Sequence, residues 1–217
     1  MTRAGEPARG RFIVLEGIDG SGSTTQANLL VERLRRSGRP ALGTCEPSQG
    51  PVGTLIRQAL GHRLEDAGGA PLALDWVSLA LLFAADRSDH VHRCIEPALR
   101  VGQFVVSDRY DLSSLAYQSA TSGEGIEVLT WIRQLNQRAP RPDLTIVVDV
   151  SALTAERRRL QRGEAAELFE VPELQQRLAA VYRDAKSLVP GDRLLHVDGE
   201  AGVAAVAEAI WSAVQAL

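Results

Sequence analysis

The chain has 217 residues, 45% hydrophobic and 24% charged, with a formal net charge of -3 and a pI near 5.8. That balance suits one globular domain and lacks the basic footprint of a protein that binds a nucleic-acid duplex. Two cysteines, Cys45 and Cys94, without C-x-x-C spacing, suggest neither a disulfide framework nor a zinc site, and fit reduced thiols in a cytosolic protein.

Met1 to Arg11 is polar, carries Gly and Pro and has no apolar run, so it reads as a fraying tail rather than a signal peptide or anchor. A strand is expected over 12–16, then a glycine-rich turn, Gly17-Ile18-Asp19-Gly20-Ser21-Gly22-Ser23-Thr24, opening into a helix over about 24–37. Strand, glycine-rich turn and helix is the context in which backbone N–H groups and a helix N-terminus cradle phosphate. The pattern is G-x-x-x-x-G-K-[ST] with one violation, because Ser23 stands where the lysine belongs. Thr24 still offers the hydroxyl that such loops present to magnesium.

A turn at Ser37-Gly38-Arg39-Pro40 precedes a short strand, Ala41 to Cys45, that ends on Glu46-Pro47. Pro51 starts a helix reaching about Leu60, Gly61 to Gly69 reads as a loop, and Leu72 to Leu99 reads as one long helix and a shorter one, with Pro97 marking a late break. Its most apolar part, Val77 to Ala85, is too short to span a bilayer and contains Ser78, so a soluble protein is expected. Gln103 to Ser107 reads as a strand ending on Asp108-Arg109-Tyr110. Helices follow at about 112–120 and 124–138, and Asp143 to Val150 suits a strand buried on both faces. Helices at 152–162 and 171–188, a strand over 194–197 and a helix over 203–217 complete the chain.

Alternating strands and helices predict an α/β fold: a five-stranded parallel sheet between helical layers, in one domain covering 1–217. Ligands of such sheets bind beyond the carboxyl ends of the strands, which here carry the glycine-rich turn, Glu46-Pro47 and Asp108-Arg109. Three polar clusters therefore converge on one rim.

These residues resemble the thymidylate kinases, P-loop kinases of thymidine monophosphate, from about Arg11 to the C-terminus. The resemblance is carried by Phe12 to Gly22, Glu46-Pro47, Leu82-Phe83-Ala84-Ala85-Asp86-Arg87 with His90, Val105 to Tyr110, Ser113 to Gln118 and Pro142 to Thr145. It implies magnesium-dependent transfer of the γ-phosphoryl group of ATP to dTMP, in dTTP synthesis, by a cytoplasmic homodimer dimerising through the long helices near 72–99 and 112–120. It further implies that Phe83 stacks on thymine and Arg87 donates to a base carbonyl. Arg109 binds the acceptor's phosphate with Asp19 beside it, Glu46 orders the acceptor side, and Ser114, Tyr117 and Gln118 meet base and sugar. Residues 17–24 hold the donor, with Thr24 and Asp108 facing magnesium. The lid falls at about 157–170, where Arg159 and Arg162 are candidates to reach the transferring phosphate.

Three departures from the family pattern stand in this chain. Ser23 replaces the loop lysine, Cys45 replaces the arginine before Glu46-Pro47, and the lid signature reads Glu167-Leu168-Phe169-Glu170 without its arginine. Phosphoryl transfer rests on positioning and charge stabilisation, so a lost cation must be replaced or its share of catalysis forgone. The alternatives are a kinase whose lid arginines stand in for the lysine, a nucleotide-binding relative that senses dTMP or ATP without turnover, and a kinase for another acceptor. Arg109 favours an acceptor that already carries phosphate.

Overall fold

The computed structural model describes residues 8–124, 126–163 and 168–217, and the side chains of Ile126 and Arg162 are outside that description. Five strands, β1 (Phe12–Glu16), β2 (Ala41–Cys45), β3 (Phe104–Asp108), β4 (Leu144–Asp149) and β5 (Leu194–Asp198), form one parallel sheet in the order β2-β3-β1-β4-β5. In β1, Leu15 pairs with Asp108 of β3 and with Ile146 of β4, so the ends of three strands share one edge. The chain leaves β1 toward β2 and β3 on one side and returns to β4 on the other, which opens a crevice beside the carboxyl end of β1.

Period-two alternation divides the core. Ile13 and Leu15 face a cluster built with α1 (Ser23–Arg36) and α10 (Val203–Gln215), whereas Phe12 and Val14 face the opposite layer beside Val91, Ile95 and Leu99. That second layer continues through α2 (Pro51–Leu60), α3 (Trp76–His90), α5 (Asp111–Ser122), α6 (Ile126–Leu135) and α8 (Pro172–Arg183).

Several predicted boundaries move. The helix expected from Leu72 starts at Trp76, because Asp75 caps it by accepting from the Ser78 N–H at 2.6 Å. Its break precedes Pro97: a wide π turn over Val91–Ile95 joins α3 to α4 (Glu96–Arg100), next to the proline that has no N–H to return to the preceding turn. The helix expected over 171–188 divides at Asp184 into α8 and α9 (Ala185–Leu188), and the one expected over 124–138 is the shorter α6. The tail is fastened earlier than its composition suggests. The Gly10 N–H donates to the Leu99 carbonyl at 2.8 Å, and Arg9 and Arg11 both pair with Asp143. Met1 to Pro7 lie outside the described residues.

Candidate active site

The glycine-rich turn leaves β1 and enters α1 (Ser23–Arg36) through Gly22, which sits at φ 96° with no side-chain cap. The first N–H of α1, on Ser23, reaches only the Ser21 hydroxyl in a long 3.4 Å contact, so the start of the helix stays open to a ligand, as a phosphate cradle requires. Gly20, at φ 92°, rests against α7 (Ala152–Arg162) so closely that a Cβ would fall 2.4 Å from the Ala155 carbonyl oxygen. Only glycine fits there.

Asp19, in this turn, is held from three sides. Arg109 Nη2 pairs with its Oδ1, while the Tyr117 hydroxyl and Gln175 Nε2 donate to its Oδ2 at 2.9 and 3.0 Å. Arg109 also donates to the Gly17 carbonyl at 2.9 Å and lies over the Tyr117 ring at 5.3 Å. Its backbone adopts φ 72°, a left-handed conformation that costs a non-glycine residue energy and turns the chain sharply from β3 into α5. Arg109 therefore bridges the end of β3 and the phosphate loop.

A cleft of about 530 Å3, open mouth included, lies beside this pair, lined among others by Glu46, Phe83, Arg87, Ser114, Gln118 and Phe169. Arg87 is almost wholly buried. Its Nε donates to Glu46 at 2.9 Å, its Nη1 to Asn136, and its Nη2 to the Tyr110 carbonyl at 3.0 Å and to Ser114 at 3.1 Å. Four of its five N–H groups are thus engaged by protein acceptors, which leaves one on Nη1. Glu46 is shared with His90 Nδ1 at 3.1 Å, and His90 Nε2 meets Thr44 at 2.7 Å. Burial works against the charged imidazole, but the Cys94 thiol and the Glu46 carboxylate hold its pKa up at about 9. Gln118 Oε1 is buried with no partner among the described residues, an acceptor that a donor in the cleft would satisfy.

Near the loop, the Thr24 hydroxyl donates to Asp108 Oδ2 at 2.5 Å, and Asp108 Oδ1 is buried without a partner among the described residues. Among the described residues no cluster of three His, Cys, Asp or Glu side chains is placed to hold a metal ion. One carboxylate and one hydroxyl with a free lone pair suit magnesium, which keeps water and substrate phosphates as its other ligands.

Ser23 is buried and brings no charge to the loop. Two arginines of α7 reach the same loop: Arg159 Nη1 donates to the Asp19 carbonyl, and Arg158 donates to the carbonyls of Ser21 at 2.9 Å and Gly199 at 2.8 Å. Arg159 was singled out from the sequence and Arg158 was not; the Arg162 side chain and Glu167 lie outside the described residues. Gln175 was also missed, though it left a signal. Leu174, Leu178, Ala179 and Tyr182 form the buried stripe of α8, and Gln175 is a polar residue on that stripe.

A parallel sheet with its glycine-rich turn at the edge of β1, an uncapped α1 and an adjoining cleft walled by arginines defines a P-loop kinase of nucleoside monophosphates. The family model for thymidylate kinase matches residues 15–210. A probable thymidylate kinase of Pyrococcus horikoshii is 43% identical over 87% of this chain and 88% of its own length. A thymidylate kinase of Afipia carboxidovorans is 39% identical over 99% of this chain and 92% of its own. The chain belongs to the thymidylate kinase family.

Proposed function

We propose that the protein transfers the γ-phosphoryl group of ATP to dTMP, giving dTDP and ADP, with magnesium. The observation that carries this reading is the Asp19–Arg109 pair, in which a side chain of the phosphate loop is joined to a guanidinium that lines a cleft for an aromatic base. An oxygen of the acceptor's phosphate attacks the γ-phosphorus as the bond to the β-phosphate oxygen breaks, and ADP leaves. Backbone N–H groups of residues 17–24 hold the donor's phosphates. Magnesium, when bound, would be held by Thr24 and Asp108 and would offset charge on the β- and γ-phosphates.

Arg109 draws the acceptor's phosphate toward the loop, and Asp19 fixes the guanidinium's orientation. Phe83 covers the face of thymine, while the spare Nη1 hydrogen of Arg87 and the Gln118 carbonyl meet its edge, an acceptor and a donor respectively. Ser114 keeps Arg87 in place from α5. Tyr117, bonded to Asp19, stands at the sugar end. Arg158 and Arg159 supply from α7 the positive charge that Ser23 does not, and Arg162 extends the same helix.

The exposed Leu55, Val77 and Leu81 on α2 and α3 favour a homodimer through those helices. Among the described residues no helix is long and apolar enough to cross a membrane, in keeping with a cytoplasmic enzyme that acts on free nucleotides. The test is ADP release from ATP and magnesium with dTMP, dUMP, dCMP, dAMP and thymidine as acceptors. Turnover is expected to be highest on dTMP and absent on thymidine, which lacks the phosphate that Arg109 binds. Turnover on thymidine or a purine monophosphate without turnover on dTMP would overturn the reading.

A further inference from the structure

Glu16, the last residue of β1, is fully buried and lies behind the wall of the acceptor cleft. Its Oε1 accepts from the N–H groups of Tyr110 at 2.9 Å and Ser113 at 3.2 Å. Tyr110 is the N-cap of α5, Ser113 its third residue, and α5 has no side-chain cap of its own. The two helix-end donors are therefore satisfied from the neighbouring strand.

The other oxygen belongs to a ring. Glu16 Oε2 lies 2.6 Å from Ser113 Oγ and 3.1 Å from the Tyr182 hydroxyl, and those two hydroxyls are 2.9 Å apart. All three contacts are hydrogen bonds at once only with a third hydrogen, because the two hydroxyls supply two. A proton on Glu16 Oε2 supplies it and closes the ring.

From this count we infer that Glu16 works as a neutral carboxylic acid, closing the ring with Ser113 and Tyr182, so that α5 and Arg109 are positioned without a further negative charge behind the acceptor's phosphate. Burial acts in the same direction, pushing the Glu16 carboxyl up to about 7 against the pull of Ser113, Arg109 and Tyr110. The charged and titratable groups that act on it are Arg109 just past β3, Tyr110 and Asp111 at the start of α5, and Tyr182 on α8, while Asp19, Asp108 and Tyr117 act in turn on Arg109. Arg109 is the cation among them, and its Nη1 reaches Ser113 Oγ at 3.4 Å. Ionising Glu16 would divert the field of the group that binds the phosphate.

The inference deepens the proposed dTMP reaction, and its test separates the two. Infrared spectra of the full chain without substrate should show a carboxylic acid C=O band at about pH 6 that fades as pH rises through 7 and is missing in E16Q. If wild type has no such titrating band, the inference falls whatever the enzyme phosphorylates. In kinetics, the KM for dTMP of the wild type should rise on the order of tenfold between about pH 6.5 and 9 with little change in kcat. E16Q, whose amide keeps the carbonyl acceptor and stays neutral, should retain the KM seen on the acid side and lose that rise. A KM in E16Q raised more than about tenfold at every pH, or an unchanged alkaline rise, would show that a carboxylate or another group is at work. Should E16Q fail to fold, the wild-type infrared titration decides alone.

Discussion

The Thr24 hydroxyl donates to the Asp108 carboxylate at 2.5 Å, joining the first turn of α1 to the end of β3, and the other Asp108 oxygen is buried and unpaired among the described residues. A buried carboxylate oxygen without a donor is costly unless a ligand completes it. Asp108→Asn should therefore lower kcat by roughly 10²-fold and raise the magnesium concentration needed for half-maximal rate, read from a metal titration at saturating nucleotides. An unchanged metal dependence would remove Asp108 from the site.

The replacement of the loop lysine makes a reciprocal prediction. Arg159→Ala should reduce kcat by about 10²- to 10³-fold, and adding Ser23→Lys should recover part of that loss. Ser23→Lys alone should change the rate far less, so the two substitutions will be strongly non-additive in a double-mutant cycle. Additive effects would mean that Arg159 and the missing ammonium do different work.

Arg109 is not exchangeable for lysine. Its guanidinium serves Gly17 and Asp19 at once and, in the proposed reaction, the acceptor phosphate as well, a forked geometry that an ammonium does not reproduce. Arg109→Lys should lower kcat/KM for dTMP by roughly 10²-fold, mostly through KM, while leaving ATP binding measured by calorimetry nearly unaltered. Equal losses for both nucleotides would point to collapse of the loop instead.

The buried His90 links the cleft wall to stability. Its folded pKa of about 9 lies above the ordinary 6.5, so its contribution is fully present below about pH 6.5 and is lost as pH rises through 9. Complete loss corresponds to about 3 kcal/mol, or roughly 6–12 °C in Tm for a domain of this size. Thermal melts from about pH 6.5 to 9.5 should show this decline, and His90→Gln should flatten it from a lower starting Tm. A wild-type Tm that holds constant over that range would mean that His90 is neutral against Glu46.

Gln175 tests how Asp19 is held. Gln175→Leu keeps the volume and removes the donor to Asp19 Oδ2 and to the Phe169 carbonyl, so the KM for dTMP should rise several-fold, on the order of 1 kcal/mol, with a modest fall in Tm. A lower Tm with normal kinetics would make it a packing residue.

What could be read from the sequence was what local order writes. The run Phe12 to Glu16 followed by three glycines announced a strand and a phosphate loop because both are set by neighbouring residues, and Asp108-Arg109 stood out because it closes another apolar run. Gln175 and Arg158 escaped because their roles depend on partners more than 130 positions away, at Asp19 and Ser21. Glu16 was harder still. As the end of a strand it reads as an edge residue, and only the folding of α5 and α8 over it reveals the ring. The start of α3 was misplaced because the pattern of Leu72 to Leu82 continues across Asp75, whose capping bond is not visible in periodicity.

The contact between Gly20 and Ala155 has a mechanical consequence. Because the two backbones meet with no room for even a methyl group, the first turn of α7 is clamped to the glycine-rich turn, with Arg158 and Arg159 one turn further on. Gly163, at φ 68°, ends that helix. Positive charge then stands ready beside the glycine-rich turn before any ligand arrives, and a glycine-to-alanine change at position 20 would jam the joint by driving a methyl group into the Ala155 carbonyl oxygen.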